Sequence, residues 1–463
     1  RPMVGKNIGI DYETLSRINP QLVYCSITGF GQNGRFKNLK DYEGIIAAKC
    51  GRMSTWGGQL ERSGPVYAAV ETATWAASQA AVRGILGALR VRDQLGRGQW
   101  VQTSILQGMI PYYGGRTIAT YFSRKDKSSS PAVTPGPNTQ PTLEYIPVRT
   151  KDGRWLQHAN NRQGPRLFPA HIRAIGLGWV LEDERFKNIY NLSEENREIL
   201  RELILERMQE KTIDEWMDLY LEDGDIAAEP YLYTVEGMQH PQFIHNHHVV
   251  ELSDPRVGPM KVVGLLAHLS ETPGEVGGPA PDLGQHTEQI LENLTDVEHV
   301  VQTGISDKAP FHALEDITVL DFSTVIAGPY GAAMIADLGA RVIKVDATPG
   351  RRPIRQAAGN APNLMTLRTY AGKECIQVDL QTKEGQQLIH RLIAKADVLL
   401  HNFRPGVPER LGIDYKTCQT INPGLIHVYA GAYGATGPHM RRPGAHPVPG
   451  ALLGGALRQA GGA

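Results

Sequence analysis

The chain of 463 residues carries 48 Lys and Arg against 48 Asp and Glu, so its formal net charge at pH 7 is zero. Because one domain typically has roughly 150 residues, a chain of this length is predicted to contain two to four domains. The charge balance excludes a global attraction to nucleic acid or to an anionic membrane, which favours a small molecule or another protein as partner. Cys25, Cys50, Cys375 and Cys418 form no CxxC pair. Their scatter favours reduced thiols and a cytoplasmic location, and no apolar run reaches the roughly 20 residues of a membrane-spanning helix.

One phrase of the sequence occurs twice. The chain opens with RPMVGKNIGIDYETLSRINPQLVY and reads RPGVPERLGIDYKTCQTINPGLIH from Arg404. The offset is constant, since Gly9 corresponds to Gly412 and Asp11 to Asp414 (412 − 9 = 414 − 11 = 403). Solenoid repeats have periods of only about 20–50 residues, so this spacing predicts one module of about 400 residues that occurs twice. In this interpretation, the chain joins the back part of copy one to the front part of copy two.

The first predicted elements, in chain order, are those of copy one. LVYCSITGF and GQWVQTSI are typical of strands, with the helix ETATWAASQAAVRGILGALRVRDQ between them and a second apolar helix running to about Tyr121. The Ser/Pro/Thr-rich residues 123–142 are typical of an exposed linker. Beyond it, YIPVRTKDGRWLQHA predicts a hairpin that turns at its Asp-Gly dipeptide. Residues 192–224 predict two amphipathic helices, the first capped by Ser193.

The front part of copy two indicates the fold class. After residue 310, the strand-like runs DITVLDFS, ARVIKVD, KECIQVDL and DVLLHNF alternate with the helical stretches GPYGAAMIADLG and TKEGQQLIHRLIAKA. This alternation predicts an α/β fold with a doubly wound parallel-sheet large domain, beside a smaller α+β domain. We expect the sheet core after about residue 314 to be contiguous with residues 1–145, either within the chain or across a dimer. The predicted domains are the back part of the copy-one large domain at 1–145, the small domain at 146–265, a return segment and linker at 266–313, and the front part of the copy-two large domain at 314–463.

Two further motifs favour structural roles. GFGQNG, with Gly29, Gly31 and Gly34, matches GxGxxG, but no small apolar helix follows and the repeat reads AYGATG. A tight turn at a strand end is therefore favoured over a dinucleotide site. The stretch from His240 to His248 is rich in histidine but has no CxxC or HExxH frame, so we predict surface histidines and no metal site. Hydrolase and NTPase functions lack support, because no GxSxG elbow or P-loop lysine motif occurs.

Five segments together resemble one enzyme family. They are DITVLDFSTVIAGPYGAAMIADLGARVIKVD, GKECIQVDL, ADVLLHNFRPGVPERLGIDY, LGRGQWVQTSI and the run from TKDGRW through LGQHTEQIL. Their order, once the repeat is unwrapped, resembles that of family III CoA-transferases, a group that includes formyl-CoA and carnitine-type transferases and the related α-methylacyl-CoA racemases. The resemblance implies transfer of CoA between an acyl-CoA and a small carboxylic acid, with CoA as substrate and no covalently bound cofactor. Members fold as interlocked dimers, which implies a homodimer or a pseudo-dimer within one chain.

The resemblance also assigns binding residues in copy two. Formyl-CoA transferases hold CoA with segments that match Ala327, Lys373, Asn402, Phe403 and Arg410. The ring of Phe403 could pack on adenine, while the Lys373 and Arg410 cations could pair with phosphates.

Copy one differs from copy two at several matching places. Asn7 stands where copy two has the arginine of the predicted phosphate site. The Lys-x-Tyr-Glu pattern of family transferases matches Lys40, Tyr42 and Glu43, which would lie near the thioester. Copy two has His446 opposite Glu43 (446 − 43 = 403).

The nucleophile of the family is an aspartate, which attacks the acyl-CoA to give a mixed anhydride and then a thioester with CoA. Alignment of GPVYAAVETATWAASQAAVRGILGAL places Thr74 at that position, and a threonine hydroxyl is a poor substitute. The catalytic residue of this stretch is therefore unassigned, with Glu71 and Glu43 as the possible carboxylates. In the double-copy interpretation, the chemistry of the intact protein belongs to copy two, beyond residue 463.

Two alternative functions stay open. Copy one could be a non-catalytic, CoA-binding or scaffolding half of a tandem protein. The chain could also be an α-methylacyl-CoA racemase, which uses a His and Asp pair for acid–base chemistry. The matching places hold Tyr42 and Glu43 in copy one, and Ala445 and His446 in copy two, so neither copy shows the ordered pair.

Overall fold

The computed structural model describes residues 2–53, 65–110, 143–160, 166–189, 192–294, 310–347 and 364–460. The chain divides into two compact units: the first comprises residues 1–139 and 298–430, and the second comprises residues 140–297 and 431–463. Each unit joins chain from both copies of the predicted module. The predicted domain boundaries follow the copies rather than these units, and they stay a prediction. The linker predicted at 123–142 and the end of the helix predicted to reach Tyr121 lie outside the described residues.

Strands and helices of the described residues are numbered here in chain order. The strands are β1 (Tyr24–Thr28), β2 (Trp100–Ser104), β3 (Pro147–Arg149), β4 (Trp155–His158), β5 (Ala228–Pro230), β6 (Val249–Asp254), β7 (Gly258–Val263), β8 (Thr318–Asp321), β9 (Arg341–Asp346), β10 (Lys373–Gln377), β11 (Val398–His401) and β12 (Ile426–Tyr429). The α-helices are α1 (Pro2–Asn7), α2 (Tyr12–Ile18), α3 (Glu43–Lys49), α4 (Thr72–Leu95), α5 (Ile105–Met109), α6 (Leu167–Ala174), α7 (Glu194–Met208), α8 (Ile213–Asp223), α9 (Thr234–Gly237), α10 (Pro241–His245), α11 (Thr287–Glu292), α12 (Ala327–Ala336), α13 (Leu364–Thr369), α14 (Lys383–Ile393), α15 (Val407–Leu411), α16 (Tyr415–Ile421), α17 (Pro447–Leu452) and α18 (Gly455–Gln459).

The first unit contains a five-stranded parallel sheet in the order β10-β9-β8-β11-β12. Val319 and Leu320 of β8 point to opposite faces because successive strand side chains alternate. Leu320 packs with Ile389 and Ile393 of α14 in one buried cluster. Val319 packs with Ala332 of α12 in another. Helices therefore cover both faces of the sheet, and the predicted doubly wound α/β fold is confirmed.

Within the first unit, helix α4 contacts the part of the chain that follows residue 310. Arg83 donates to the Met334 sulfur at 2.8 Å, and Arg90 forms a 2.7 Å ion pair with Asp316. The contact predicted between residues 1–145 and the front part of copy two is therefore present. Among the described strands, β1 and β2 pair with one another as a separate two-stranded parallel sheet. The contact with the five-stranded sheet unit runs through the side chains of this helix.

The second unit contains the predicted α+β elements. Strands β3, β4 and β5 form an antiparallel sheet, and the predicted hairpin turns at Gly153, whose φ of +78° suits glycine. Ser193 caps α7 as predicted, accepting from the N–H of Asn196 at 3.1 Å. Helix α8 begins with a capping box of Thr212 and Glu215, which the sequence analysis missed. The largest buried side chains in this core are Phe168, Phe186, Trp216 and Tyr220.

The repeated phrase has the same local structure in both places. Asp11 caps α2 by accepting from the Thr14 N–H at 3.1 Å, and Asp414 caps α16 by accepting from the Thr417 N–H at 3.1 Å. Glycines with positive φ recur at the same offset: Gly9 and Gly412 (+71°, +69°), Gly31 and Gly434 (+90°, +95°), Gly34 and Gly437 (+92°, +104°), and Gly51 and Gly454 (+81°, +75°). GFGQNG thus forms the tight turn that the sequence favoured, and AYGATG of the second repeat has positive-φ glycines at the same places.

Candidate functional site

Three candidate residues, Ala327, Asn402 and Phe403, lie in or just after the loops that follow two neighbouring strands, β8 and β11. Strands β9 and β10 lie on one side of β8, whereas β11 and β12 lie on the other. The direction in which the chain adds strands therefore reverses between β8 and β11. In open α/β sheets, ligands bind at such a switch point, outside the carboxyl ends of the strands. The loops that border this position are residues 322–326 and 402–406.

Asn402 connects the two bordering loops. Its Oδ1 accepts from the Thr324 N–H at 2.9 Å, and its Nδ2 donates to the Thr324 carbonyl at 2.8 Å. The next residue, Val325, has a φ of +70°, which is strained for a β-branched side chain. Such strain concentrates at ligand sites. Ala327 then begins α12 with an exposed side chain, so Asn402 fixes the shape of the loop that leads to Ala327.

Phe403 and Arg410 follow β11. Phe403 is half-buried, and its ring stacks on that of His401 with 5.8 Å between centroids. The exposed part of the Phe403 ring leaves a surface on which adenine could pack. Arg410 of α15 is exposed, and its guanidinium forms no ion pair with any described residue. Its charge therefore remains available to a phosphate.

Lys373 at the start of β10 has an enclosed side chain. Its Nζ donates to Asp321 Oδ2 at 2.8 Å and to the Pro329 carbonyl at 2.7 Å, and neither side chain of the ion pair is exposed. Burial lowers the pKa of Lys373, while the Asp321 carboxylate acts in the opposite direction. Asp321 also accepts from the Ser323 N–H at 2.9 Å. The pair thus organises the loop after β8, and the predicted phosphate contact of Lys373 would require the pair to open.

The candidate residues of copy one meet at the start of α4. Thr74 lies in its first turn and is half-buried. Glu43 Oε1 accepts from the Ala73 N–H at 3.0 Å, and Oε2 accepts from the Thr74 N–H at 2.8 Å. These N–H groups have no partner within the helix, and a carboxylate is favourable at a helix N-terminus. The structure therefore brings together Glu43 and Thr74, two residues that the sequence placed near the reaction.

The other candidates of copy one are exposed around this helix start. Glu71 precedes α4, and its side chain does not cap the helix. Tyr42 is 66% exposed, and Lys40 is exposed with no ion pair to any described residue. Glu43, rather than Glu71, is thus the carboxylate that contacts the backbone of Thr74.

His240 is buried, which corrects the prediction of surface histidines for this stretch. It is 8% exposed, whereas His245 is exposed. The reason is its place directly before α10, where its ring packs against Phe243 and His439, each at 4.8 Å between centroids. Burial lowers the pKa of His240 to about 4.

Glu229, His240 and His439 present ligand atoms within 4.8 Å of one another, a spacing that could hold a metal ion. In this structure the cation beside Glu229 is a guanidinium. Arg442 Nη1 donates to Glu229 Oε1 and, at 2.7 Å, to His439 Nδ1. Because its positive charge repels a second cation, this cluster is better described as a buried ion-pair network. The sequence analysis missed it, since the two ionic partners lie 213 residues apart.

A sequence match decides the family. The family model described as CoA-transferase family III matches residues 1–287 and 314–463. The chain belongs to CoA-transferase family III. This membership confirms the resemblance found in the sequence and agrees with the parallel α/β sheet. The double-copy interpretation stays a prediction.

Curated relatives within CoA-transferase family III match different shares of the chain. The CoA-transferase/lyase DddD of Marinomonas sp. (strain MWYL1) is 23% identical over 476 residues, covering 94% of this chain and 56% of that protein. The succinyl-CoA:glutarate CoA-transferase of Homo sapiens is 26% identical over 287 residues, covering 62% of this chain and 63% of that protein. The chain therefore spans less than two thirds of each of these relatives. A solved CAIB/BAIF family protein from Brucella suis is 24% identical with a TM-score of 0.49, covering 63% of this chain and 72% of that one.

Two further observations concern membrane-spanning helices and disulfide bonds. Among the described helices, none combines the length and the apolar character needed to span a bilayer. None of Cys25, Cys50, Cys375 and Cys418 forms a disulfide in the part of the chain that the structure describes.

Proposed function

We propose that this chain is part of an enzyme that moves CoA between an acyl-CoA and a small carboxylic acid. The observation that carries the proposal is the position of Ala327, Asn402 and Phe403 at the switch point of the parallel sheet. These residues were assigned to CoA from family resemblance, and the strand order independently favours a ligand at the same place. The names of the family relatives support the same reaction class.

The binding role of each residue follows from its surroundings. The half-buried ring of Phe403 stacks on His401, and its exposed part offers a surface for a base. Asn402 is committed to Thr324, so we assign it the task of shaping the loop rather than of carrying charge. Arg410 supplies a free guanidinium for a phosphate, and guanidinium–phosphate pairs are frequently bidentate. We assign Lys373 no direct contact while its ammonium remains paired with Asp321.

Acyl transfer in this stretch is limited by the absence of an aspartate at position 74. A carboxylate that attacks a thioester forms an anhydride, which reacts readily with a thiolate or a second carboxylate. Thr74 could form only an ester, whose cleavage is less favourable, and no base is placed by motif to remove its proton. We therefore propose that residues 1–463 bind CoA but do not exchange it, and that the nucleophile of the intact protein lies in copy two.

A non-catalytic role for copy one is the second candidate function. It is favoured by the contacts of Glu43, which engages the N–H groups of both Ala73 and Thr74. A carboxylate held by two backbone donors is a structural cap, and it fills the helix start where the family reaction would occur. In this role, copy one would support the fold of an active copy two.

Calorimetric titration with CoA tests the binding proposal. R410A should weaken CoA binding by roughly 1.5–3 kcal/mol, the range for hydrogen bonds to charged groups. The matched control is R391A, which removes an exposed arginine from α14, a helix outside the proposed site. Equal affinities for both variants and the wild-type chain would place the CoA site elsewhere.

Mass spectrometry after incubation with an acyl-CoA tests the catalytic proposal. We expect no covalent adduct on residues 65–110 and no acid-dependent exchange above background. An enzyme-bound acyl or CoA group mapped to Thr74, Glu71 or Glu43 would contradict this. Turnover abolished by E43Q or E71Q, but retained in T74V, would assign the nucleophile to that glutamate.

The remaining assignments are part of the same proposal. A cytoplasmic location is supported by the four scattered cysteines, which form no disulfide among the described residues. A tandem protein that forms a pseudo-dimer within one chain, or a homodimer, is supported by the repeat at an offset of 403 residues (412 − 9 = 403). Mass photometry of the intact protein would separate these two assemblies.

A further inference from the structure

The second unit holds a segment of the second repeat, residues 431–460, against the strands and helices of residues 143–263. Val448 and Leu452 of α17 are buried in a cluster with Ala159 and Ala227. The approach is close, because a Cβ on Gly237 would lie 2.2 Å from the Leu452 carbonyl oxygen. This surface therefore receives one particular segment of chain in a defined position.

Several bonds across this surface use only backbone groups of the received segment. Gln242 Nε2 donates to the Thr436 carbonyl at 2.8 Å, and Asn246 Nδ2 donates to the Tyr433 carbonyl at 2.8 Å. Any loop with this backbone could form such bonds, and the first repeat has the same positive-φ glycines at matching places. These contacts do not distinguish the second repeat from the first.

The Glu229 carboxylate is different, because its partners among the described residues are all side chains of the received segment. It is 1% exposed and accepts from Tyr433 Oη at 2.8 Å and from Arg442 Nη1. Arg442, itself 7% exposed, also donates to His439 Nδ1 at 2.7 Å and to the Ala228 carbonyl at 2.6 Å. Burial raises the pKa of Glu229, whereas Arg442 and Tyr433 act in the opposite direction.

The first repeat lacks all three partners of this network. Its matching residues are apolar: Phe30 for Tyr433, Phe36 for His439 and Leu39 for Arg442, each at an offset of 403 (433 − 30 = 439 − 36 = 442 − 39 = 403). In the first repeat, Phe30 and Phe36 contact one another with 5.9 Å between ring centroids. The two repeats thus differ in polarity at the positions that face Glu229 in the second unit.

We propose that Glu229 is a selectivity residue, which admits the loop of the second repeat onto this surface and excludes the loop of the first. With the first-repeat loop in place, the carboxylate would be buried beside Phe, Phe and Leu with no cation or hydroxyl. An unpaired buried charge is far more costly than a missing contact on the surface. In the double-copy interpretation, the surface formed by residues 143–263 of copy one would therefore bind the loop of copy two and not the loop of copy one.

The test exchanges the three residues within the full chain. Y433F/H439F/R442L converts the loop to its first-repeat residues and leaves Glu229 without partners. Hydrogen exchange of residues 447–452, followed by mass spectrometry, should show opening increased by more than about 100-fold, because breaking a buried ion pair typically costs several kcal/mol. The matched control P438R also introduces a first-repeat residue, Arg35, but at an exposed position of the same loop. We expect its exchange within about threefold of wild type, as for other surface substitutions.

A fourth substitution separates selectivity from general damage. Adding E229L to the triple variant removes the unpaired charge, and apolar replacement of a buried ion pair is often neutral, so exchange should fall by at least about tenfold. E229L alone should instead increase exchange, because it leaves Arg442 buried without its carboxylate. The proposal is overturned if the triple variant exchanges as wild type does, or if E229L adds to its damage.

Discussion

The two repeats, residues 1–53 and 404–456, share a backbone but have different neighbours. Both have an Asp-capped helix and glycines at positive φ in the same places. In the first repeat, Glu43 caps α4, whereas in the second repeat Arg442 pairs with Glu229. The comparison shows that local sequence sets the turns and caps. In our proposal, a few side chains decide which surface each repeat contacts.

The largest expected difference between the repeats is their loss of stability at low pH, which should be greater for the second repeat. The first repeat contains no histidine, whereas the second contains His427, His439 and His446 and pairs through β12 with β11, which carries His401. Burial, together with His427, lowers the pKa of His401 to about 4. A lowered histidine pKa gives stability that is present above about 6.5 and lost as pH falls towards 4, up to about 3 kcal/mol for His401.

Hydrogen exchange between pH 7 and pH 4, corrected for the intrinsic rate, measures this difference. Residues 398–401 and 426–429 should lose protection before residues 24–28 and 100–104. The variant H401L should reduce the pH dependence of the second repeat alone. Loss of protection at the same pH in both repeats would show that these histidines do not govern the acid response.

The asparagine that follows the capped helix should stabilise the second repeat much more than the first. Asn422 Nδ2 donates to the carbonyls of Ile393 and Ala396 at 3.0 and 2.9 Å. The side chain of Asn19 at the matching place accepts from the Gln21 N–H at 2.9 Å and has no other partner among the described residues. N422A should therefore lower the free energy of unfolding by roughly 1–3 kcal/mol, and N19A by less than about 1 kcal/mol. Urea unfolding checks both, and equal losses would contradict the difference in partners.

Glycine at positive φ allows a smaller and more controlled comparison. Both Gly9 and Gly412 would be strained as alanine, by roughly 1–2 kcal/mol. G412A should cost slightly more, because its Cβ would lie 3.2 Å from His390 Nε2, whereas nothing lies within 4 Å of a Cβ at Gly9. Melting temperatures of the two variants measure this, and a larger loss in G9A would reverse the assignment.

The helix caps should give the smallest difference. D11A and D414A should each cost about 1 kcal/mol, the typical value for an N-cap. The two losses should agree, because each aspartate accepts from the backbone N–H and the hydroxyl of a threonine three residues later. Chemical denaturation measures the free energy of unfolding of both variants. Unequal losses would show that the same backbone geometry does not give the same cap energy in the two repeats.

Local patterns in the sequence predicted local structure well. The alternating runs after residue 310 predicted the parallel sheet, Ser193 predicted a helix start, and an Asp-Gly dipeptide predicted the hairpin at Gly153. Each of these signals lies within a few residues of its effect. Family resemblance assigned Phe403 and Asn402 to CoA, and this assignment stays a prediction. The strand order shows only that both residues follow β11, beside the switch point of the sheet.

Long-range pairs escaped the sequence analysis. The ion pair of Lys373 with Asp321 spans 52 residues, and that of Arg442 with Glu229 spans 213. Neither pair leaves a periodic or short-range signal in the sequence. The sequence analysis therefore assigned the Lys373 ammonium to a phosphate, whereas the structure buries it beside Asp321. The one available signal was the comparison of the repeats, in which Leu39 becomes Arg442.

A crystal structure of this chain with CoA bound would test the central claim directly. We predict the adenine against the ring of Phe403 and a phosphate within bonding distance of the Arg410 guanidinium, between the loops that follow β8 and β11. We also predict that Asp321 and Lys373 remain paired. CoA bound away from these two loops, with Phe403 and Arg410 free of contact, would contradict the account.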